Sequence, residues 1–291
     1  MRFTAWLVLL ATLLLWSGNW IVARAVREDV APGFATVCRQ VIVVAILLPF
    51  VFSSLRRKLR MLSARDWKLL AGLGFAGGGV HLGLQWLGLH YTTATSAVLF
   101  LSTAPIFVLL MAAPLLTERI GAPQWVGVAV SFAGVATIAA HGDLSRLAAL
   151  SFNRGDLMAL ASMALWGAYT VMLRLRRDPL DVPELIVMVC GFGFLFMLPW
   201  VALEGGPHRL NLVAAGAIVY SAIFSMLIAY AGWSYAVSRI GAVRTGATMH
   251  LMPAMGVALA ALFLGEYPQL YHFVGIGLIL GGVALSSRSS Q

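Results

Sequence analysis

Aromatic and amide side chains recur at helical spacing inside stretches that are otherwise apolar. Trp16, Asn19 and Trp20 stand at i, i+3 and i+4 and so share one face of a helix. Trp166, Tyr169 and Thr170 show the same spacing, and Trp166 follows Trp16 by 166 − 16 = 150 positions. Gly74, Gly78, His81 and Gln85 lie on one face of another apolar run, Tyr230 and Trp233 on one face of a third, and His250 precedes Pro253 by three residues. Such a set suits noncovalent recognition of an amphipathic solute. Rings supply apolar and π contact, an ammonium can lie over a ring face, and amides, hydroxyls and imidazoles orient polar groups. Two readings of Trp16 and Trp166 stay open here, core packing and the aromatic wall of a cavity. Serine and threonine often bond back to their own helix, and Ser102 is weighed against that alternative as a group that could orient a polar part of the solute.

Bond-making chemistry finds little support. No HExxH, GxSxG or glycine-rich loop leading into Lys-Ser/Thr occurs, and every Asp and Glu falls at a helix end or in a loop. No enzyme, metal or cofactor is therefore expected.

Composition sets the surroundings of these residues. Apolar residues are 60% of the 291 and charged residues 11%, with a mean hydropathy of +0.89. A soluble domain carries about 25% charged residues, so a water-facing surface could not be built from this chain. The expected fold is an all-α polytopic membrane protein. The net charge of +9 does not point to nucleic acid, because the basic residues gather between apolar runs. Cys38 and Cys190 each sit within such a run, where free thiols are expected.

Ten spans can be drawn: Thr4–Ala25, Pro32–Ser53, Asp66–His90, Thr93–Leu116, Pro123–Ala140, Gly155–Leu175, Pro183–Leu203, Asn211–Ser238, Ala242–Leu264 and Pro268–Ser287. Each is long enough for a hydrocarbon core of roughly 30 Å. The first could pass for a cleaved signal peptide, but its apolar region is of spanning length, so a retained helix is expected.

The second half repeats the first. Pro105 and Glu118 correspond to Pro253 and Glu266, both pairs 148 apart (253 − 105 and 266 − 118). Leu48-Pro49-Phe50 corresponds to Leu198-Pro199-Trp200, and Gly127 and Gly134 to Gly275 and Gly282. The expected divisions are residues 1–141 and 142–291, with five spans each. Five is odd, so the second repeat should enter the membrane from the opposite side, as in inverted-repeat transporters. With the N-terminus inside, fourteen of the 20 Lys and Arg fall in inner segments, five in outer ones, and Arg39 within a span. Both termini are then cytoplasmic. Pro105 and Pro253 read as helix breaks, and Arg39 as a structural or gating residue.

Asn153-Arg-Gly-Asp156 leading to Leu165-Trp166-Gly-Ala-Tyr169, with Pro253 and Leu264-Gly-Glu266 later, resembles an EamA repeat. Trp16-Ser-Gly-Asn-Trp20 and Ala104-Pro105 with Thr117-Glu118 resemble a first copy. Two such repeats characterise the drug/metabolite transporter superfamily, and within it the chain most resembles the bacterial aromatic amino acid exporters. Thr117 departs from the pattern that Gly265 keeps. The resemblance implies ten helices around a central cavity and export of small metabolites across the plasma membrane of a bacterium. The expected function is thus secondary transport of aromatic or other apolar amino acids by alternating access. The expected partners are a small-molecule substrate, the lipid bilayer and, through His81 or His250, protons. The alternatives are a broad-range drug or metabolite permease and a non-transporting membrane scaffold. The expected substrate contacts are Trp16, Asn19, Trp20, His81, Gln85, Ser102, Trp166, Tyr169, Tyr230, Trp233 and His250.

Overall fold

A computed structural model describes residues 2–26, 28–92, 99–100, 102–116, 120–143, 145–149, 152–204, 210–264 and 268–286. Among them every regular element is helical. The helices are α1 (Arg2–Ala25), α2 (Pro32–Leu59), α3 (Ala64–Leu73), α4 (Val80–Tyr91), α5 (Ala104–Leu116), α6 (Ala122–Ala139) and the short α7 (Ser145–Ala148). They continue with α8 (Arg154–Leu175), α9 (Val182–Glu204), α10 (Leu212–Tyr220), α11 (Ala229–Ile240), α12 (Ala242–Ala247), α13 (Leu251–Leu264) and α14 (Leu270–Ser286). Two π-helical segments, Gly74–Gly79 and Ser221–Ile228, join α3 to α4 and α10 to α11, and a 3₁₀ turn, Thr248–His250, joins α12 to α13.

Five helices are long and apolar enough to cross a membrane: Pro32–Leu59, Ala122–Ala139, Arg154–Leu175, Val182–Glu204 and the composite Leu212–Ile240. Phe3–Asn19, Ala104–Leu116 and Leu270–Ser286 are shorter apolar helices. Their outer faces suit lipid: Phe50, Leu203 and Leu270 are each at least 79% exposed. The buried positions, by contrast, include Thr36, Gln40, Ser131, Ser162, Thr170, Thr245 and His250. In lipid such groups must be satisfied within the protein, so polar residues turn inward and apolar ones outward.

Local chemistry starts the helices. Ser63 caps α3, its hydroxyl accepting from the Asp66 amide at 3.2 Å while the Asp66 carboxylate accepts from the Ser63 amide at 2.9 Å. Asn211 caps α10 by accepting from Ala214 N at 2.8 Å. At α8 the Asn153-Arg-Gly-Asp156 motif is a reciprocal cap. Asn153 Oδ1 accepts from the amides of Gly155 and Asp156, and Asp156 Oδ2 accepts from Asn153 N at 2.9 Å. The Thr92 hydroxyl donates to the other Asp156 oxygen. A 3₁₀ turn, Thr248–His250, interrupts the helical run just before the Pro253 helix. Pro105 and Pro253 each stand in the first turn of their helices, α5 and α13, where a missing N–H costs little. Glu118 and Glu266 lie outside the described residues.

The chain forms two compact units, residues 1–86 with 172–239, and residues 87–171 with 240–291. Each unit therefore draws on both halves of the sequence. In the first, α9 lies against α2 and against the Gly74–Gly79 segment. There Lys58 Nζ, at the basic end of α2, donates to Asp181 Oδ2 at 2.7 Å and Glu184 Oε2 at 2.8 Å. In the second, α6 and α14 meet through the glycines that the sequence pairs. A Cβ on Gly127 would stand 2.5 Å from the Gly282 carbonyl oxygen, and one on Gly134 would stand 2.5 Å from that of Gly275. Only a residue without a side chain allows that approach.

Candidate functional site

The π segments occupy equivalent places in the two halves. Adding the 148-residue offset to 74 and 79 gives 222 and 227, both within Ser221–Ile228. Wide turns of this kind concentrate at functional sites. Here their carbonyls accept hydrogen bonds from buried side chains. Tyr230 Oη donates to Gly77 O at 2.7 Å, Gln40 Nε2 donates to Gly78 O, and Trp16 Nε1 donates to Ser225 O at 2.9 Å.

These bonds build an aromatic cluster in the first unit. The Trp16 ring meets Tyr230 edge-on, with centroids 6.1 Å apart at 85°, and lies 5.2 Å from Trp233 at 49°. All three rings are buried. Polar groups are buried in the same unit. Ser221 Oγ donates to Asn19 Oδ1 at 2.6 Å, and His81 is buried in α4. Ser234 Oγ and Gln40 Oε1 are buried without a hydrogen-bond partner among the described residues. Arg39 lies in the same unit, its guanidinium 4.9 Å from the centre of the Trp86 ring.

The second unit holds a smaller set. Trp166 lies 5.0 Å from Tyr169, and its indole donates to Met249 Sδ at 3.1 Å. His250 is wholly buried and engaged at both ring nitrogens. Nε2 faces the Ser102 carbonyl at 2.7 Å, an acceptor, so that nitrogen carries a proton and donates. Nδ1 meets the Ser131 hydroxyl, which also lies 3.0 Å from Val128 O. The imidazole thus ties the start of α13 to α6 and to the residues just before α5.

Of the residues singled out from sequence, the structure gathers Trp16, Asn19, Arg39, His81, Gln85, Tyr230 and Trp233 in the first unit. Ser102, Pro105, Trp166, Tyr169, His250 and Pro253 lie in the second. The Trp20 side chain lies outside the described residues. Sequence reasoning missed Gln40, Trp86 and Ser131. A glutamine one position after Arg39 in an apolar run was the available signal for Gln40, whereas Trp86 and Ser131 carried no helical spacing that set them apart. Among the described residues no cluster of His, Cys, Asp and Glu could hold a metal ion.

The EamA-like transporter family matches residues 3–140 and again residues 153–288. The chain belongs to the EamA-like transporter family. An uncharacterised transporter of Archaeoglobus fulgidus is 27% identical over 98% of this chain and 98% of its own length. A probable terminal-alkyne amino-acid exporter of Streptantibioticus cattleyicolor is 30% identical over 77% of this chain and 74% of its own. A crystal structure of a protein 21% identical to this one superposes with a TM-score of 0.79 over 98% of this chain and 96% of that one, a likeness of fold. This EamA-like protein is accordingly a multi-pass membrane transporter and not an enzyme.

Proposed function

We propose that this transporter exports small amphipathic metabolites, with aromatic and other apolar amino acids as the substrate class, by alternating access between two inverted five-helix repeats, residues 1–141 and 142–291. Ten helices cross a bacterial plasma membrane in this reading, with both termini cytoplasmic. The aromatic cluster carries it: Trp16 from the first repeat meets Tyr230 and Trp233 from the second at 6.1 and 5.2 Å. An aromatic substrate would insert its ring among these, while Asn19, His81 and Gln85 orient its polar groups. The relative in Streptantibioticus cattleyicolor, named as an amino-acid exporter, supports the substrate class. Trp166 and Tyr169 are proposed as further substrate contacts within the second unit. His250 positions Ser102 and the Pro105 turn, since both of its nitrogens are taken up within the protein.

Purified protein in liposomes tests the proposal. Efflux of labelled phenylalanine, tryptophan and leucine is expected above that of protein-free vesicles, with glycine and lysine slow. Flux of cationic dyes with no amino acid flux would favour a broad-range permease instead. That reading has one observation in its favour, the buried methionines Met163, Met197 and Met226, which re-pack readily around varied ligands.

A further inference from the structure

Arg39 is the one described cation carried deep into an apolar helix. It stands seven residues in from Pro32, about 10 Å along the axis at roughly 1.5 Å per residue. It is 1% exposed. Its Nε donates to Ala35 O at 3.2 Å and its Nη2 to Thr36 Oγ1 at 2.9 Å, both acceptors neutral and both on its own helix. Among the described residues the ion pairs belong to Lys58, Arg146 and Arg176.

A guanidinium has five N–H donors in a planar fork that matches a carboxylate. Held inside a membrane without a counter-ion among the described residues it is costly, and residues kept at such a cost serve function. Two of its donors are anchored in the helix, and its face rests on Trp86, so its orientation is fixed before any ligand arrives. Its chain neighbour Gln40 donates to Gly78 O, next to the Gly77 carbonyl that accepts from Tyr230 of the aromatic cluster.

We infer that Arg39 is the counter-ion of the transported molecule and binds its carboxylate, while the aromatic cluster takes its apolar side. The ligand class is a small monocarboxylate with an apolar or aromatic body. The inference deepens the amino-acid reading above and rests on it, yet the two separate by experiment because a carboxylate does not require an ammonium.

Thermal stabilisation of the purified full-length protein in detergent provides the test, with three probes: phenylalanine, 3-phenylpropionate (no ammonium) and phenylalaninamide (no carboxylate). Ligand bound to the folded state raises the midpoint according to its affinity. Both acids are expected to stabilise the wild type, and the amide to bind at least tenfold more weakly. In Arg39→Gln the advantage of the acids over the amide should vanish, while the ligand-free midpoint stays the same or rises, because a buried unpaired charge has gone. A purely structural arginine would instead lower that midpoint and leave the preference for acids intact, which overturns the inference. Arg39→Lys keeps the charge without the fork and should weaken both acids at least tenfold, so it serves if Arg39→Gln does not fold. Equal acid binding in Arg39→Lys and the wild type would then refute it. Stabilisation by 3-phenylpropionate but not phenylalanine would retain Arg39 as the anchor and remove amino acids as the substrate. No stabilisation by either acid would remove both.

Discussion

Trp16 Nε1 donates to the carbonyl of Ser225 across 2.9 Å, joining α1 to a π-helical turn 209 residues away in sequence. One bond thereby links the ring that faces Tyr230 and Trp233 to the irregular backbone beside it. Phenylalanine at this position keeps a ring and loses the donor. An orphaned buried carbonyl costs about 1–3 kcal/mol. Trp16→Phe is expected to lower the thermal midpoint in detergent and to preserve selectivity for aromatic substrates. A midpoint equal to wild type would mean that water or another donor replaces the indole.

The two histidines should part company. His250 is held at both nitrogens by Ser131 and the Ser102 carbonyl, so His250→Ala leaves at least one buried group unpaired and should cost about 1–3 kcal/mol of stability. The pH profile of flux should not move. His81 lies in the unit that holds the aromatic cluster. If a proton accompanies the substrate through His81, His81→Gln flattens the pH dependence of flux. Flux assays from pH 5.5 to 8 on both variants decide it, and an unchanged profile in His81→Gln leaves an uncoupled carrier.

The glycine contact between α6 and α14 predicts a steric penalty. Gly134→Leu and Gly127→Leu each push a side chain onto a backbone only 2.5 Å from the Cβ position. Overpacking costs typically about 1–3 kcal/mol and more where backbone must move. Lower midpoints and polydisperse elution on size exclusion are expected. The control is Gly216→Ala, where a Cβ meets nothing within 4 Å, and it should behave as wild type.

Orientation is open to labelling. In a Cys38→Ala/Cys190→Ala background, a cysteine at Arg57 should resist an impermeant thiol reagent on intact cells, and one at Ser145 should react. Reaction at Arg57 with protection at Ser145 would invert the topology.

Much of the helical frame was legible because hydropathy and spanning length are strong signals. Proline at helix starts marked α2 and α6 to within a residue or two. The π segments were not legible. A wide turn adds one residue per turn without altering hydropathy, and the glycines of 74–79 read simply as small residues for close packing. The two spatial units were hidden for a related reason. Sequence repeats report ancestry, whereas the units 1–86 with 172–239 and 87–171 with 240–291 follow packing. Trp16 and Trp166 were recognised as repeat partners, but their indoles bond differently, to the Ser225 carbonyl and to Met249 sulfur. Spacing within one helix cannot reveal which neighbour a side chain meets. Arg39 was conspicuous in the sequence, and its neutral surroundings came only from the structure.

Recognition of an aromatic side chain by the Trp16 cluster can be read from a ratio of fluxes. Flux of phenylalanine relative to alanine would be measured in liposomes for wild type and Trp16→Leu, with reconstituted protein quantified in each. Aromatic pairing contributes about 0.5–1.5 kcal/mol beyond burial, and about 1.4 kcal/mol is a factor of ten. The ratio is expected to fall up to about tenfold in Trp16→Leu, mainly through phenylalanine. An unchanged ratio in a well-folded Trp16→Leu protein would make Trp16 a packing residue and not a wall of the substrate site.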